Sequence, residues 1–202
     1  MRAFISIKTG DLFAAPKGKA GGLGDDRASV EDLEAALKGA GASLRFVRDD
    51  ARHITLRFFG DLEDAREGEV AKAVGEVARL QRPFPIAPLG VGFFPNAVRP
   101  KVVWVGLEDP EAKLVPLHRA LQQALRATGL EGEAEAFVPH ITIARVDRAP
   151  PGPALADAVD PFVHARFGGG TAQGLEFIES TLQKGGPVYR KVAVHAFSGK
   201  GA

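Results

Sequence analysis

The sequence predicts an α+β protein of two similar lobes, with largely antiparallel sheets. Three observations carry this. Strand-like and helix-like apolar periods are mixed along the chain with several short loops, which favours antiparallel neighbours over a doubly wound sheet. A short pattern, His-Ile-Thr followed by an aliphatic residue, occurs twice, at residues 53–56 and 140–143. No stretch has the composition of a linker, so residues 1–202 read as a single bilobal domain.

The elements follow in order. Phe4, Ile5 and Ile7 open a strand, and a Gly-rich loop insertion occupies residues 11–26. Ser29 with Asp32 three residues on is a capping-box signature for a short helix that Gly39 and Gly41 end. Leu44–Val47 and Ile54–Phe59 read as strands, the second closed by Gly60-Asp61. Val70, Val74, Val77 and Leu80 recur at helical spacing until Pro83 stops the helix. Val102–Val105 is a strand, and Asp109-Pro110 starts a helix whose stripe is Leu114, Leu117, Leu121 and Leu125. Val138–Val146 is another strand, followed by the Pro-rich loop 149–153. Gly174–Leu182 and Val188–Phe197 form a closing hairpin turned at residues 184–187.

Composition narrows the function. The chain has no cysteine, which removes disulfides, thiolate zinc sites and cysteine nucleophiles together. Its 26 Lys and Arg nearly balance 25 Asp and Glu, so it lacks the broad basic face that coats duplex DNA. The first apolar run breaks too early for a signal peptide, and no stretch reaches the roughly 20 apolar residues of a membrane span. A cytoplasmic protein with no membrane partner is expected, and a monomer.

The repeated pattern is where chemistry concentrates. Strict strand alternation puts His53, Thr55 and Arg57 on one side and Ile54, Leu56 and Phe58 on the other. The second copy likewise sets His140 and Thr142 against Ile141 and Ile143. Each copy offers an imidazole and a hydroxyl about 7 Å apart, at roughly 3.3 Å per residue. Two such pairs can embrace one phosphate, with one imidazole as base, the other as acid, and the hydroxyls on non-bridging oxygens. Histidine's ordinary pKa, about 6.5, makes both forms available near neutrality. Arg145 adds a cation for the same phosphate, but its odd offset from His140 points it away unless the strand bends near Ala144. His118, His164 and His195 lack the companion threonine and are assigned structural roles.

At these residues the sequence resembles the two-histidine phosphoesterase superfamily, and within it the LigT-like RNA 2′,3′-cyclic phosphodiesterases, also called 2′-5′ RNA ligases. The likeness extends to Arg2-Ala-Phe-Ile-Ser-Ile7, to residues 45–60, to Gly92-Phe-Phe-Pro95 and Val103-Trp-Val-Gly106, and to residues 137–145 and 179–189. It implies the two-histidine phosphoesterase fold, with the two sheets flanking a central groove across which the motifs face each other. It also implies His53 as proton donor, His140 as proton acceptor, and Thr55, Thr142 and Arg145 as substrate-binding residues. The implied substrate is an RNA end bearing a 2′,3′-cyclic phosphate, opened to a 2′-phosphate without metal or other cofactor, with 2′-5′ ligation as the reverse reaction. The Gly-rich insertion at residues 11–26 departs from the family pattern.

Three other readings remain at this point. The substrate could be a small cyclic nucleotide or a 2′-5′ oligonucleotide. The chain could be a non-catalytic RNA-binding module, for which the aromatic pairs Phe58-Phe59 and Phe93-Phe94 would have to share a face. It could also be a metallohydrolase that adds Asp49, Asp50 and Asp147 to the histidines, although His-x-His and His-x-x-x-His spacings are missing.

Overall fold

Alternation of apolar residues builds most of this molecule's strands. A computed structural model of the chain describes residues 1–13, 27–130, 136–148, 153–183 and 186–199. Residues 14–26 of the Gly-rich segment, 149–152 of the Pro-rich loop and the hairpin tip 184–185 lie outside the described residues. The strands are β1 (Ala3–Lys8), β2 (Ser43–Phe46), β3 (His53–Phe59), β4 (Phe84–Phe94), β5 (Val102–Glu108), β6 (His140–Arg148), β7 (Gly170–Ala172), β8 (Gly174–Gln183) and β9 (Gly186–Ala196). The helices are α1 (Val30–Gly39), α2 (Glu67–Leu80), α3 (Leu114–Ala127) and α4 (Ala154–Val159).

The strands pair in the order β7-β4-β5-β6-β3-β1-β8-β9, with β2 also on β6, and every pairing between them is antiparallel. The half carrying His53 (β1, β3, β8, β9) meets the half carrying His140 (β4, β5, β6, β2, β7) at one residue pair, Ile54 opposite Ile141. Both isoleucines are fully buried. They belong to one apolar cluster that runs through Ile5, Phe177, Val105, Ile143, Leu33, Val74 and Leu121. The core therefore passes beneath both halves and leaves the opposite sheet face open.

Helix ends follow local rules in one case and depart from them in another. The Ser29 hydroxyl accepts the Asp32 N–H at 3.0 Å and donates to the Asp32 carboxylate at 2.7 Å, which caps α1 as expected. The helix expected from Asp109-Pro110 instead begins at Leu114. Asp109 still serves it, because Oδ2 accepts the Leu114 N–H at 2.7 Å across an intervening turn in which Ala112 has φ of 51°. Leu80, read as the end of the α2 stripe, is 52% exposed, so the buried stripe stops at Ala78.

A second departure concerns strand faces. Opposite β1, the partners run Ile5 to Arg57 and then Ser6 to Thr55, so Leu56 is an extra residue in β3. Opposite β5, they run Val103 to Ala144 and then Trp104 to Thr142, so Ile143 is an extra residue in β6. Both bulges fall three residues after the motif histidine, and a bulge shifts the alternation of everything beyond it. The expectation that Arg57 shares the face of His53 and Thr55 is therefore corrected. Arg57 instead donates to the Gln122 side chain of α3 at 3.3 Å, while Phe58 lies opposite Phe4 and is 43% exposed.

Candidate active site

Both motif histidines are held in the same way. The His53 ring hydrogen-bonds the Ala51 carbonyl through Nδ1 at 2.7 Å, and the His140 ring bonds the Val138 carbonyl through Nδ1 at 2.8 Å. A carbonyl can only accept, so each Nδ1 carries the proton and each Nε2 is the nitrogen left to gain or lose one. At the crossing, the antiparallel sense of the Ile54–Ile141 pair sets His53 alongside Thr142 and His140 alongside Thr55. Both histidines and both threonines are partly accessible, while Ile54, Leu56, Ile141 and Ile143 are buried on the other side.

Aromatic walls flank each imidazole. Phe4 stacks on His53 with centroids 4.5 Å apart, and Tyr189 meets it edge-on at 5.8 Å. Phe4 and Ile178, both 4% exposed, are buried outside the main core cluster because they pack on this open face. On the other side Phe94 meets His140 edge-on at 4.9 Å, and Trp104 lies at 6.4 Å. Trp104 crosses β4 where Gly92 stands, and a Cβ there would come within 2.4 Å of the indole. Within each aromatic pair named from sequence, one ring faces the core (Phe59, Phe93), while Phe94 faces the groove and Phe58 is exposed.

The bulge in β6 decides the position of Arg145. It returns Arg145 to the face of His140 and Thr142, whereas regular alternation would have turned it away. The charges of these groups also act on one another. Burial lowers the His53 pKa, the Ala51 carbonyl opposes this, His140 and Arg145 lower it further, and Glu176 raises it. Burial also lowers the His140 pKa, against the Val138 carbonyl and in the same direction as Arg145. Burial raises the Tyr189 pKa, while Arg145 and Arg48 lower it.

Several site residues were not read from the sequence. A hollow of about 230 Å³ beside His53 is lined by Ser6, Lys8, Glu176, Tyr189 and Lys191, with Glu176 paired to Lys191 at 2.6 Å. Ser6 could have been found, as a lone hydroxyl on the polar phase of an apolar strand. Arg52 carries no such signal. Its guanidinium, 3% exposed, binds Glu34 at 2.5 Å and Asp49 at 2.8 Å, and its carbonyl accepts the Thr9 hydroxyl at 2.8 Å. It thereby pins the turn whose Ala51 carbonyl orients His53.

The remaining histidines sit apart from this group. His118 stacks on Phe137 at 4.2 Å and lies 3.1 Å from Gln122, His164 is exposed, and the His195 ring lies against Gly75. Among the described residues no three of His, Cys, Asp and Glu gather as metal ligands. Asp49, Asp50 and Asp147 are engaged by Arg52, Arg48 and Arg45.

Paired histidines with matched hydrogen bonds stand on one face of an antiparallel α+β sheet. The chain belongs to the 2′-5′ RNA ligase superfamily, whose profile matches residues 25–178. It is 31% identical over 194 residues to the RNA 2′,3′-cyclic phosphodiesterase of Methanothermobacter thermautotrophicus, covering 96% of this chain and 97% of that one. It is 30% identical to the protein of the same name from Thermotoga maritima, covering 98% and 97%. The fold matches a crystal structure of a Thermus thermophilus protein with TM-score 0.70 at 22% identity, over 100% of both chains. It also matches Escherichia coli LigT complexed with 3′-AMP with TM-score 0.66 at 20% identity, over 98% of both chains.

Proposed function

We propose that this protein is a metal-independent RNA 2′,3′-cyclic phosphodiesterase that opens a terminal cyclic phosphate to a 2′-phosphate. The observation that carries the reading is the pair of imidazoles, each with Nδ1 tied to a carbonyl and Nε2 left for proton transfer. In the proposed step His140 Nε2 takes a proton from water as the water oxygen attacks phosphorus. The P–O3′ bond breaks, and His53 Nε2 delivers its proton to O3′. One water is consumed, and the two imidazoles regain their starting states by exchange with solvent. Thr55, Thr142 and Arg145 hold the non-bridging oxygens, whose charge persists through the transition state. The names of the relatives agree with this activity, and the same two histidines would serve 2′-5′ ligation in reverse. The enzyme acts as a cytoplasmic monomer on RNA ends, without duplex DNA or a membrane as partner.

Steady-state kinetics on a cyclic-ended RNA tests the reading. His53→Ala and His140→Ala each lower turnover by roughly 10²–10⁴, and the double variant falls little below the worse single one. Thr55→Val and Thr142→Val cost about 1.5–3 kcal/mol each. Activity persists after exhaustive chelation. Near-normal turnover in both histidine variants defeats the mechanism, and rescue of a chelated enzyme by zinc or manganese replaces it. Phosphorus NMR of the product checks the regiochemistry, with 3′-phosphate reversing the histidine roles or the ribose pose.

A further inference from the structure

Beyond Arg145 the groove face continues. Val102, Arg145 and Arg45 stand opposite one another across β5, β6 and β2, in one row of side chains on the face of His140. This row borders a hollow of about 620 Å³ whose charged lining is Arg45, Arg99, Lys101 and Arg145 against one acid, Asp147. Asp147 is already committed, because Arg45 Nε donates to both of its oxygens at 2.9 Å and Nη2 lies 2.7 Å away. Arg99, Lys101 and Arg145 have no carboxylate partner among the described residues.

The frame around these three cations is fixed. The Asn96 side-chain oxygen accepts the N–H groups of Val98 and Arg99, each at 3.0 Å, which sets the β4–β5 turn. Lys101 donates its N–H to the Phe94 carbonyl at 2.8 Å and accepts the Val146 N–H at 2.9 Å, so it is tied to β4 and β6 at once. Like charges held together without an acid repel one another, and an anion among them relieves the repulsion. Along β5, from Gly106 opposite His140 to Val102 opposite Arg145, four strand intervals of ~3.3 Å put the near edge of the hollow about 13 Å from His140. Arg145 is therefore shared with the reacting phosphate, whereas Lys101 and Arg99 lie beyond Val102, further from the Gly106–His140 pair, where a longer polynucleotide backbone would place a second phosphate.

We propose that this hollow is a second phosphate subsite, in which Arg99 and Lys101 bind a backbone phosphodiester of RNA beyond the reacting phosphate. The inference rests on the phosphodiesterase reading for what occupies the histidines. The bound backbone belongs either to the 5′ continuation of the cyclic-ended strand or to a 5′-hydroxyl strand entering for the reverse reaction, and the recognition chemistry is the same for both.

The test compares wild type with the double variant Arg99→Gln/Lys101→Gln on a 2′,3′-cyclic mononucleotide and on a short RNA with the same terminal base and cyclic end. Fluorescence anisotropy of two labelled, unreactive RNAs, one with a 2′-phosphate end and one with a 5′-hydroxyl end, measures binding directly. The double variant binds at least one of these RNAs roughly tenfold more weakly, with a salt slope shallower by about 0.7 for each phosphate no longer neutralised. It handles the cyclic mononucleotide as wild type does. A raised KM on the cyclic-ended RNA alone assigns the subsite to the upstream backbone. Loss of inhibition by a 5′-hydroxyl oligonucleotide, with that KM unchanged, assigns it to the second strand. Unchanged anisotropy with both RNAs overturns the proposal, as does an equal loss on mononucleotide and RNA. If wild type opens neither substrate, the phosphodiesterase reading falls, and anisotropy still decides the subsite.

Discussion

Glu176 raises the pKa of His53 alone, whereas Arg145 lowers that of both His53 and His140, and this difference tells the two imidazoles apart. Burial disfavours both imidazolium ions, so His53 gives up its proton, and His140 accepts one, at lower pH than an ordinary imidazole of about 6.5. With His53 as acid and His140 as base, the bell in kcat/KM of the free enzyme is displaced to the acid side of that value. Glu176 raises only the His53 pKa, so Glu176→Gln should move the alkaline limb down in pH and leave the acid limb in place. Arg145 lowers both, so Arg145→Gln should move both limbs up while reducing turnover. Apparent values belong to the coupled pair, but the directions distinguish its members. Movement of the acid limb alone would give His53 the lower of the two apparent pKa values and overturn this assignment of the limbs. The histidines and threonines were legible in the sequence because residue type and spacing alone define them. Glu176, Lys8 and Tyr189 were not, because β8, β9 and β1 bring them to His53 only through long-range pairing.

At the scale of elements, the turn before β3 is the part most exposed to perturbation. Arg52 joins α1, through Glu34, to that turn, through Asp49, and replacing it with methionine leaves both carboxylates behind. Breaking a buried ion pair costs about 3–5 kcal/mol, but Asp49 is exposed and Glu34 partly so, and water can re-solvate both. A loss of about 2 kcal/mol is therefore expected. Thermal melting measures it, and the alkaline limb of kcat/KM should shift as the Ala51 carbonyl loosens its hold on His53. Unmoved limbs would make Arg52 a purely structural residue. The elements themselves were read unevenly. Helices α1 and α2 and the closing hairpin follow from caps and periodicity. Strand β4 escaped because Pro85 and Pro88 interrupt its pattern, and it tolerates Pro88 beside the irregular register that runs to Val91. Strand β7 has three residues and α4 has six, too few for a period to show. The bulges at Leu56 and Ile143 left no residue signature, and they alone explain the misplacing of Arg57 and the position of Arg145.

For the molecule as a whole, the shared core beneath both halves predicts one cooperative unfolding transition. The chain has one tryptophan and one tyrosine, Trp104 in the half with His140 and Tyr189 in the half with His53. Urea transitions followed by tryptophan emission and by tyrosine absorbance should coincide with the far-ultraviolet signal. Separate midpoints would mean that the halves unfold independently. Ile54→Ala, at the single pair joining the halves, should cost about 2–5 kcal/mol and lower both probes' midpoints together. That the halves exist was readable from the repeated motif. That they are joined by one pair above a common core was not, because the identity of a strand's neighbours is not written in either strand.

The two bulges place Phe58 and Arg145 at equivalent stations, each five residues after a motif histidine, with unlike chemistry at the two ends. A cleft with true two-fold symmetry would accept a cyclic phosphate in two poses related by a half-turn, exchanging O2′ with O3′ and acid with base. Its products would be a near-equal mixture of isomers. An arginine on one side and a phenyl ring on the other removes this degeneracy. Holding one isomer at 99 parts in 100 requires a gap of about 2.7 kcal/mol between poses, at roughly 1.36 kcal/mol per factor of ten. One charge-assisted hydrogen bond, worth about 1.5–3 kcal/mol, is of that size. Neutralising Arg145 should therefore contaminate the product with the other isomer, an erosion of fidelity that a rate measurement alone would not reveal.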